Sequence, residues 1–187
     1  VYHLDDAFRG RLTQLYREKL TKDLILLDLM SSWTSHLPEE ISYRRVIGHG
    51  MNSAELEKNQ RLDAHWVQDL NKNQNLPLED SSIDACLMVA AWQYLQYPEN
   101  VAVELKRIIR TGGQLLISFS NRAFWTKAPR VWTEGSDLDH LNYVKDVLIS
   151  QGWSEPQLIA EETYKPGAIS FLGLKGDPFF SILASNN

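Results

Sequence analysis

The sequence contains a single cysteine, Cys86, among its 187 residues. An intrachain disulfide is therefore excluded, and a lone cysteine inside an apolar run favours a reducing, cytoplasmic location. No apolar run is long enough to span a bilayer, so we expect no membrane association. Basic residues are also fewer than acidic ones: the chain has 19 Lys and Arg and 24 Asp and Glu, which gives a net charge of -5. This balance makes nucleic acid an unfavourable partner.

Several catalytic signatures are absent as well. The sequence has no Gly-rich phosphate loop with a Lys-Ser or Lys-Thr pair, no serine elbow of a hydrolase and no spacing typical of a metal site. We therefore expect no metal and no hydrolase or nucleotide triphosphatase chemistry. The chain is 43% hydrophobic, which is enough to bury one substantial core. We expect residues 1–187 to form a single domain.

An apolar run at residues 24–29 contains one acid, Asp28, and ends in the polar sequence Met30-Ser31-Ser32. A run of this length is too short for most helices and predicts a strand buried on both faces. Ligand contacts in α/β proteins lie at the carboxyl ends of central parallel strands. Asp28 is therefore the first candidate for a binding residue.

The rest of the chain alternates between strand and helix patterns. Further strands are predicted at residues 45–47, 64–67, 83–91 and 114–119. Helices are predicted in segment 1–22, where Asp5 or Asp6 is the cap, and at 53–58, 98–110 and 138–148. The tail adds two strand-like segments, 157–163 and 179–184, as an antiparallel pair. The alternation predicts a doubly wound α/β fold with a mostly parallel sheet and helices on both faces.

Four motifs occur in a characteristic order along this pattern. They are Leu26-Leu27-Asp28-Leu29, Gln68-Asp69-Leu70, Ser82-Ile83-Asp84-Ala85 and Arg107-Ile108-Ile109-Arg110-Thr111-Gly112-Gly113. Together they resemble the class I S-adenosylmethionine-dependent methyltransferases, and in particular their type 11 branch, over nearly the whole chain. The resemblance implies a Rossmann-like seven-stranded sheet with an antiparallel last strand. It also implies S-adenosylmethionine as the cofactor, but it does not supply the substrate. Our leading hypothesis is that the methyl acceptor is a small molecule, with segment 1–22 as a candidate lid; the oligomeric state stays open.

The resemblance places the methionine part of the cofactor beside Asp28 and the loop that follows it. Members of the family have glycines in this loop, but here the corresponding positions hold Met30, Ser32 and Thr34. A Cβ atom at these positions removes the easy access to positive φ that glycine provides. The hydroxyl and amide groups of Ser31 and Ser32 could hold a carboxylate instead.

Other cofactor positions follow from the same resemblance. The family usually has an acid after the second strand that binds the ribose hydroxyls, and Gly50 stands there in this chain. The neighbouring Gly48, His49 and Asn52 are candidates for contacts at this point. The candidate residues for the adenine ring and for the region beside the transferred methyl group are Asp69, Leu70 and Ala90.

Two candidate catalytic residues complete the predicted site. His49 is the candidate general base because of its position between two glycines and its titration range. Asn121, just past the fifth predicted strand, could orient an oxygen of the substrate.

Two functions from different classes remain open at this point. The first is methyl transfer from S-adenosylmethionine to a small molecule. The second is a catalytically inactive binding module that has lost the cofactor, with Met30 filling the vacated space. A different nucleotide, held by Asp69 and by Gly48 and Gly50, is a third alternative.

Overall fold

Seven β-strands form one mixed sheet in the computed structural model, which describes residues 4–122, 128–165 and 173–187. In chain order the strands are β1 (Ile25–Leu29), β2 (Arg45–Gly50), β3 (Ala64–Val67), β4 (Ile83–Val89), β5 (Ile109–Phe119), β6 (Gln157–Glu161) and β7 (Phe179–Ser185). Their order in the sheet is β3-β2-β1-β4-β5-β7-β6. β7 is antiparallel to both β5 and β6, whereas the pairs among β1 to β5 are parallel. The predicted mostly parallel sheet with an antiparallel last strand is confirmed.

Helices connect the strands on both faces of the sheet. They are α1 (Asp6–Lys19), α2 (Ser53–Leu56), α3 (Pro98–Ile108), α4 (Arg130–Glu134) and α5 (Asp137–Ser150), together with a short 3-10 turn, Trp92–Tyr94. Asp5 caps α1, because its Oδ1 accepts a hydrogen bond from the backbone N–H of Phe8 at 2.9 Å. None of the helices in the described part of the chain has the length and apolar character needed to span a lipid bilayer.

Consecutive residues of the central strands face opposite sides of the sheet and build two apolar cores. Leu26 and Leu87 belong to the core beneath α1, which buries Phe8 and Leu12 completely. Leu27, Cys86 and Ile117 belong to the larger core beneath α3 and α5. Burial of both faces explains why these strands appear in the sequence as continuous apolar runs. α1 therefore packs on one face of the sheet; the lid role of segment 1–22 stays a prediction.

The junction between α3 and β5 differs from the prediction. The helix expected to continue to Arg110 ends at Ile108, and the glycines expected to stop it lie inside β5. Gly112 has φ of 78°, and the β4–β5 pairing shifts register between Ile83 and Ala85, so the glycines accommodate an irregular strand rather than a loop. Asn186 stabilises this strand start, because its side-chain amide donates to the carbonyl oxygen of Ile109 at 2.6 Å.

Candidate active site

The order of the strands changes direction between β1 and β4. The chain moves outward from β1 through β2 to β3 and then returns to place β4 and β5 on the other side of β1. The carboxyl ends of β1 and β4 therefore flank the crevice where open α/β sheets bind ligands. The first residue after each strand has a left-handed backbone, with φ of 57° at Met30 and 50° at Ala90. Such residues cost roughly 1–2 kcal/mol and concentrate at functional sites.

Asp28 lies at the end of β1 and is only 4% exposed. The hydroxyl group of Ser31 donates to its Oδ2 at 2.6 Å. Burial raises the pKa of Asp28 to about 6, although hydrogen bonds from Ser31 and Ser35 act in the opposite direction. The candidate carboxylate is thus satisfied by the loop that follows its own strand.

Asn59, in the turn between α2 and β3, holds the same loop from the other side. Its side-chain amide donates to the carbonyl oxygen of Ser32 at 3.0 Å and to the hydroxyl of Ser35 at 2.9 Å, and it is 4% exposed. Asn59 was not among the predicted site residues. A lone asparagine in a polar segment carries no signal that it reaches a loop 24 residues away in the chain.

His49 connects three segments at this edge of the sheet. Its Nδ1 accepts a hydrogen bond from the backbone N–H of Met30 at 3.2 Å, which leaves Nε2 protonated and able to donate to the carbonyl oxygen of Gln68 at 3.0 Å. The ring is 1% exposed, and burial lowers its pKa to about 4. A neutral imidazole with both nitrogens engaged cross-links the ends of β1, β2 and β3. Its role as a general base stays a prediction.

The two glycines beside His49 allow close approach of neighbouring groups. A Cβ atom at Gly50 would lie 2.6 Å from the carbonyl oxygen of Ser31, and one at Gly48 would collide with the side chain of Leu62. The backbone N–H of Ser31 also donates to the carbonyl oxygen of His49 at 2.6 Å. The loop after β1 therefore packs directly on the end of β2. This contact explains why position 50 cannot hold the acid that the resemblance predicts there.

A carboxylate does lie near this point, on the helix that follows β2. Glu55 is half-buried; its Oε2 accepts from the hydroxyl of Ser32 at 2.6 Å and its Oε1 accepts from the side-chain amide of Asn52 at 3.1 Å. Asn52 is also the N-cap of α2. Ser32 and Asn52 were predicted site residues, whereas Glu55 was not, although an acid three residues after a helix cap is a recognisable signal.

The end of β3 adds a second accessible carboxylate. The side chain of Asp69 is 26% exposed, and its Oδ1 accepts from the backbone N–H of Asn71 at 3.0 Å. Leu70 is buried in the larger core. Asn71 then reaches across to the 3-10 turn after β4, where its side-chain amide donates to the carbonyl oxygen of Tyr94 at 3.0 Å. The predicted adenine region and the end of β4 are thus joined.

The structure brings most of the predicted site residues together. Contacts connect Asp28, Met30, Ser31, Ser32, His49, Gly50 and Asn52, and Gly48 pairs with Asp28 in the sheet. Ala90 lies across the crevice, where its backbone N–H donates to the carbonyl oxygen of Ser118 at 2.8 Å. Asn121 is exposed, two residues beyond β5, and lies outside this contact network among the described residues.

The family comparison agrees with this geometry. The model of a methyltransferase domain family matches residues 31–117, the segment that contains the loop after β1, all of β2 to β4 and nearly all of β5. Residues 31–117 of this chain are therefore similar to the methyltransferase domain family. No curated protein is significantly similar to this methyltransferase-like chain in sequence.

Solved structures share its fold at low sequence identity. A chain from a complex of a Haloferax volcanii methyltransferase with its activator Trm112 is 16% identical, with a TM-score of 0.67 over 96% of this chain and 89% of that one. A Thermotoga maritima protein described as a possible histamine N-methyltransferase is 19% identical, with a TM-score of 0.65 over 95% and 89%. The [4+2]-cyclase SpnF is 14% identical, with a TM-score of 0.63 over 94% and 80%.

The chemistry of the accessible groups can be compared with that of S-adenosylmethionine. The adenosyl half offers an exocyclic amino group and two ribose hydroxyls, all hydrogen-bond donors, and the carboxylates of Glu55 and Asp69 are acceptors with spare lone pairs. These residues therefore fit the adenosyl half. At the methionine half, the carboxylate of Asp28 and the N–H of Ser31 already bond within the protein, to Ser31 and His49.

A pH-dependent stability effect follows from the burial of Asp28. The pKa of Asp28 is about 6 in the folded protein, against an ordinary value of 3.8 for an aspartate in the unfolded chain. The folded state therefore binds the carboxyl proton more tightly, and the free energy of unfolding falls as the pH rises from about 4 to about 6. The ionised group lowers the free energy of unfolding by about 3 kcal/mol above pH 6. Asp28→Asn should therefore stabilise the protein at about pH 8 and have little effect near pH 4.

Urea denaturation at both pH values measures this difference. Asp146→Asn, which removes an exposed carboxylate from α5, controls for the loss of one negative charge. An equal effect of Asp28→Asn at both pH values would contradict the assignment of a buried, ionised carboxylate.

Proposed function

We propose that this protein is an S-adenosylmethionine-dependent methyltransferase that acts on a small molecule. The observation that carries the proposal is the pair of left-handed residues, Met30 and Ala90, which directly follow the neighbouring strands β1 and β4 at the switch point of the sheet. The methyltransferase family match covers Ala90 and begins one residue after Met30. Strained backbone at the binding edge of a methyltransferase fold supports a ligand-binding role rather than a purely structural one.

Residues on the β2 and β3 side would hold the adenosyl half of the cofactor. Asp69 would accept from the adenine amino group, beside the backbone N–H of Leu70. Glu55 would accept from the ribose hydroxyls in place of the acid that Gly50 excludes. Ser32 and Asn52 already orient the Glu55 carboxylate through hydrogen bonds of 2.6 and 3.1 Å. A preoriented carboxylate loses little conformational freedom when the ligand binds.

The remaining residues would act by positioning. S-adenosylmethionine, when bound, supplies an electrophilic methyl group. Direct displacement requires alignment of the acceptor and exclusion of water more than it requires a general base. His49 would keep the ends of three strands in register through its two hydrogen bonds, Ala90 would form the wall of the crevice, and Asn121 would orient an oxygen of the acceptor.

Substitution of Glu55 tests the proposed cofactor contact. Glu55→Gln keeps the shape of the side chain but removes the charge, so we expect the affinity for S-adenosylhomocysteine to fall about tenfold. Isothermal titration calorimetry of the wild type and the variant measures this change. Glu57→Gln, which alters an exposed acid at the end of the same helix, is the matched control. Equal affinities for wild type and Glu55→Gln would remove Glu55 from the site.

One observation favours the inactive binding module. The carbonyl oxygen of Ser31 packs against Gly50, and Met30 is half-buried against the larger core at the methionine end of the site. The structural similarity to SpnF, which is described as a [4+2]-cyclase, is a reminder that this fold also supports functions other than methyl transfer. In this second hypothesis Met30 fills the cofactor space and the crevice binds another molecule.

Met30→Gly distinguishes the two functions. The enzyme hypothesis expects the wild type to bind S-adenosylhomocysteine, whereas the binding-module hypothesis expects binding only after Met30→Gly has opened the space. Ala90→Gly is the matched control, because it relieves a similar left-handed backbone but removes only one methyl group. Binding by neither the wild type nor Met30→Gly would contradict both the enzyme hypothesis and steric filling by Met30.

A further inference from the structure

The side-chain amide of Gln93 is buried without a hydrogen-bond partner. Gln93 is 1% exposed, and neither its Nε2 nor its Oε1 has a partner among the described residues. An amide carries two N–H donors and a carbonyl acceptor, and burying all of them unpaired is costly. A leucine of similar size would avoid this cost. The glutamine therefore calls for a reason other than packing.

Two neighbouring residues show related features. The indole N–H of Trp92 is also buried without a partner among the described residues, and Ala90 has the left-handed backbone described above. Strained backbone and unpaired polar groups each indicate a functional site when they occur in a native structure. Here they occur within four consecutive residues, directly after β4.

The position of this turn is fixed by the loop after β3. The side chain of Asn71 accepts from the backbone N–H of Gln96 at 2.8 Å and donates to the carbonyl oxygen of Tyr94 at 3.0 Å. These two bonds hold the carboxyl end of the 3-10 turn in place. Because the turn is anchored, the unpaired amide of Gln93 occupies a defined place beside the switch point and does not arise from an irregular, unsupported loop.

We propose that Gln93 binds a hydroxyl group of the methyl acceptor, an assignment that rests on the proposed function. A hydroxyl both donates and accepts hydrogen bonds, so it satisfies the Oε1 and the Nε2 of one amide at once. A carboxylate would leave Oε1 unpaired and an ammonium group would leave Nε2 unpaired. The amide therefore selects a neutral hydroxyl over either charged group.

Access to the buried Gln93 would require the 3-10 turn to open on its amino side, because the bonds from Asn71 hold only its carboxyl side. Tyr94 and Ala90 are partly exposed on either side of the buried pair Trp92 and Gln93. Within the turn, backbone hydrogen bonds run from Tyr94 to Ala91 at 3.0 Å and from Leu95 to Trp92 at 3.1 Å. Short 3-10 turns open at lower free energy than the strands of the core.

Phenol and anisole are suitable probes because they share a ring and differ in one methyl group. Phenol can donate and accept, whereas anisole can only accept. We expect phenol to shift the side-chain amide resonance of Gln93 in ¹⁵N NMR spectra of the cofactor-free protein and to bind more tightly than anisole. Gln93→Leu should weaken phenol binding about tenfold, the loss expected for one hydrogen bond. Gln96→Leu, an exposed glutamine beside the same turn, should leave phenol binding unchanged.

A stability measurement separates a binding role from a structural one. Removal of an unpaired buried amide should raise the melting temperature of Gln93→Leu by about 2–4 °C. A lower melting temperature would show that Gln93 stabilises the fold and would overturn the proposal. Equal phenol affinity in the wild type and Gln93→Leu, or a water molecule found bonded to the amide in a high-resolution crystal structure, would also overturn it.

The phenol experiment is independent of the cofactor. Gln93-dependent phenol binding together with silence toward S-adenosylhomocysteine would contradict the methyltransferase proposal but leave a hydroxyl-binding site in place. If the protein binds S-adenosylhomocysteine but Gln93→Leu leaves the affinity for phenol unchanged, only the assignment of Gln93 is contradicted.

Discussion

The hydrogen bond from the hydroxyl of Ser31 to the buried carboxylate of Asp28 determines the path of the chain at the binding edge. It turns the loop after β1 back onto the strand end, at a distance of 2.6 Å, and Met30 takes up its left-handed backbone just before this contact. His49 then receives the N–H of Met30, and Gly50 leaves room for the carbonyl of Ser31. The shape of the crevice therefore depends on one satisfied, buried acid.

This arrangement accounts for the departures of the chain from the methyltransferase family that it resembles. The loop after β1 does not need glycines, because Met30 itself adopts the left-handed backbone and the hydroxyl of Ser31 donates the hydrogen bond to Asp28. An acid at position 50 is excluded by the packing of Ser31, and Glu55 provides a carboxylate five residues further along, on α2. In the proposed function, different residues at the same edge of the sheet would form the site, and the methyl-transfer proposal depends on whether they accept the cofactor.

The amino-acid sequence predicts the fold well for a clear physical reason. Strands such as β1 and β4 are buried on both faces, so their apolar runs are visible without any knowledge of their neighbours. The start of β5 was not predictable, because Gly112 and Gly113 resemble a helix stop and their place in a strand depends on Asn186, more than 70 residues away. Local signals identify elements, whereas long-range pairing decides where they end.

The site was less predictable than the fold. The position of Asp28 at a strand end could be read from the sequence, but its pairing with Ser31 could not. His49 attracted attention as a titratable residue between glycines, while its two hydrogen bonds depend on the register of three strands. Glu55 carried a capping signal in the sequence, but its contact with Ser32 depends on the fold, and Asn59 and Gln93 became visible only when the fold buried them.

A crystal structure of the protein grown with S-adenosylhomocysteine tests the central claim most directly. We expect the ligand to lie across the carboxyl ends of β1 and β4, with its ribose hydroxyls on Glu55 and its adenine amino group on Asp69. An empty crevice at saturating ligand, with the carbonyl of Ser31 still packed against Gly50, would contradict the claim that the rebuilt loop holds the cofactor.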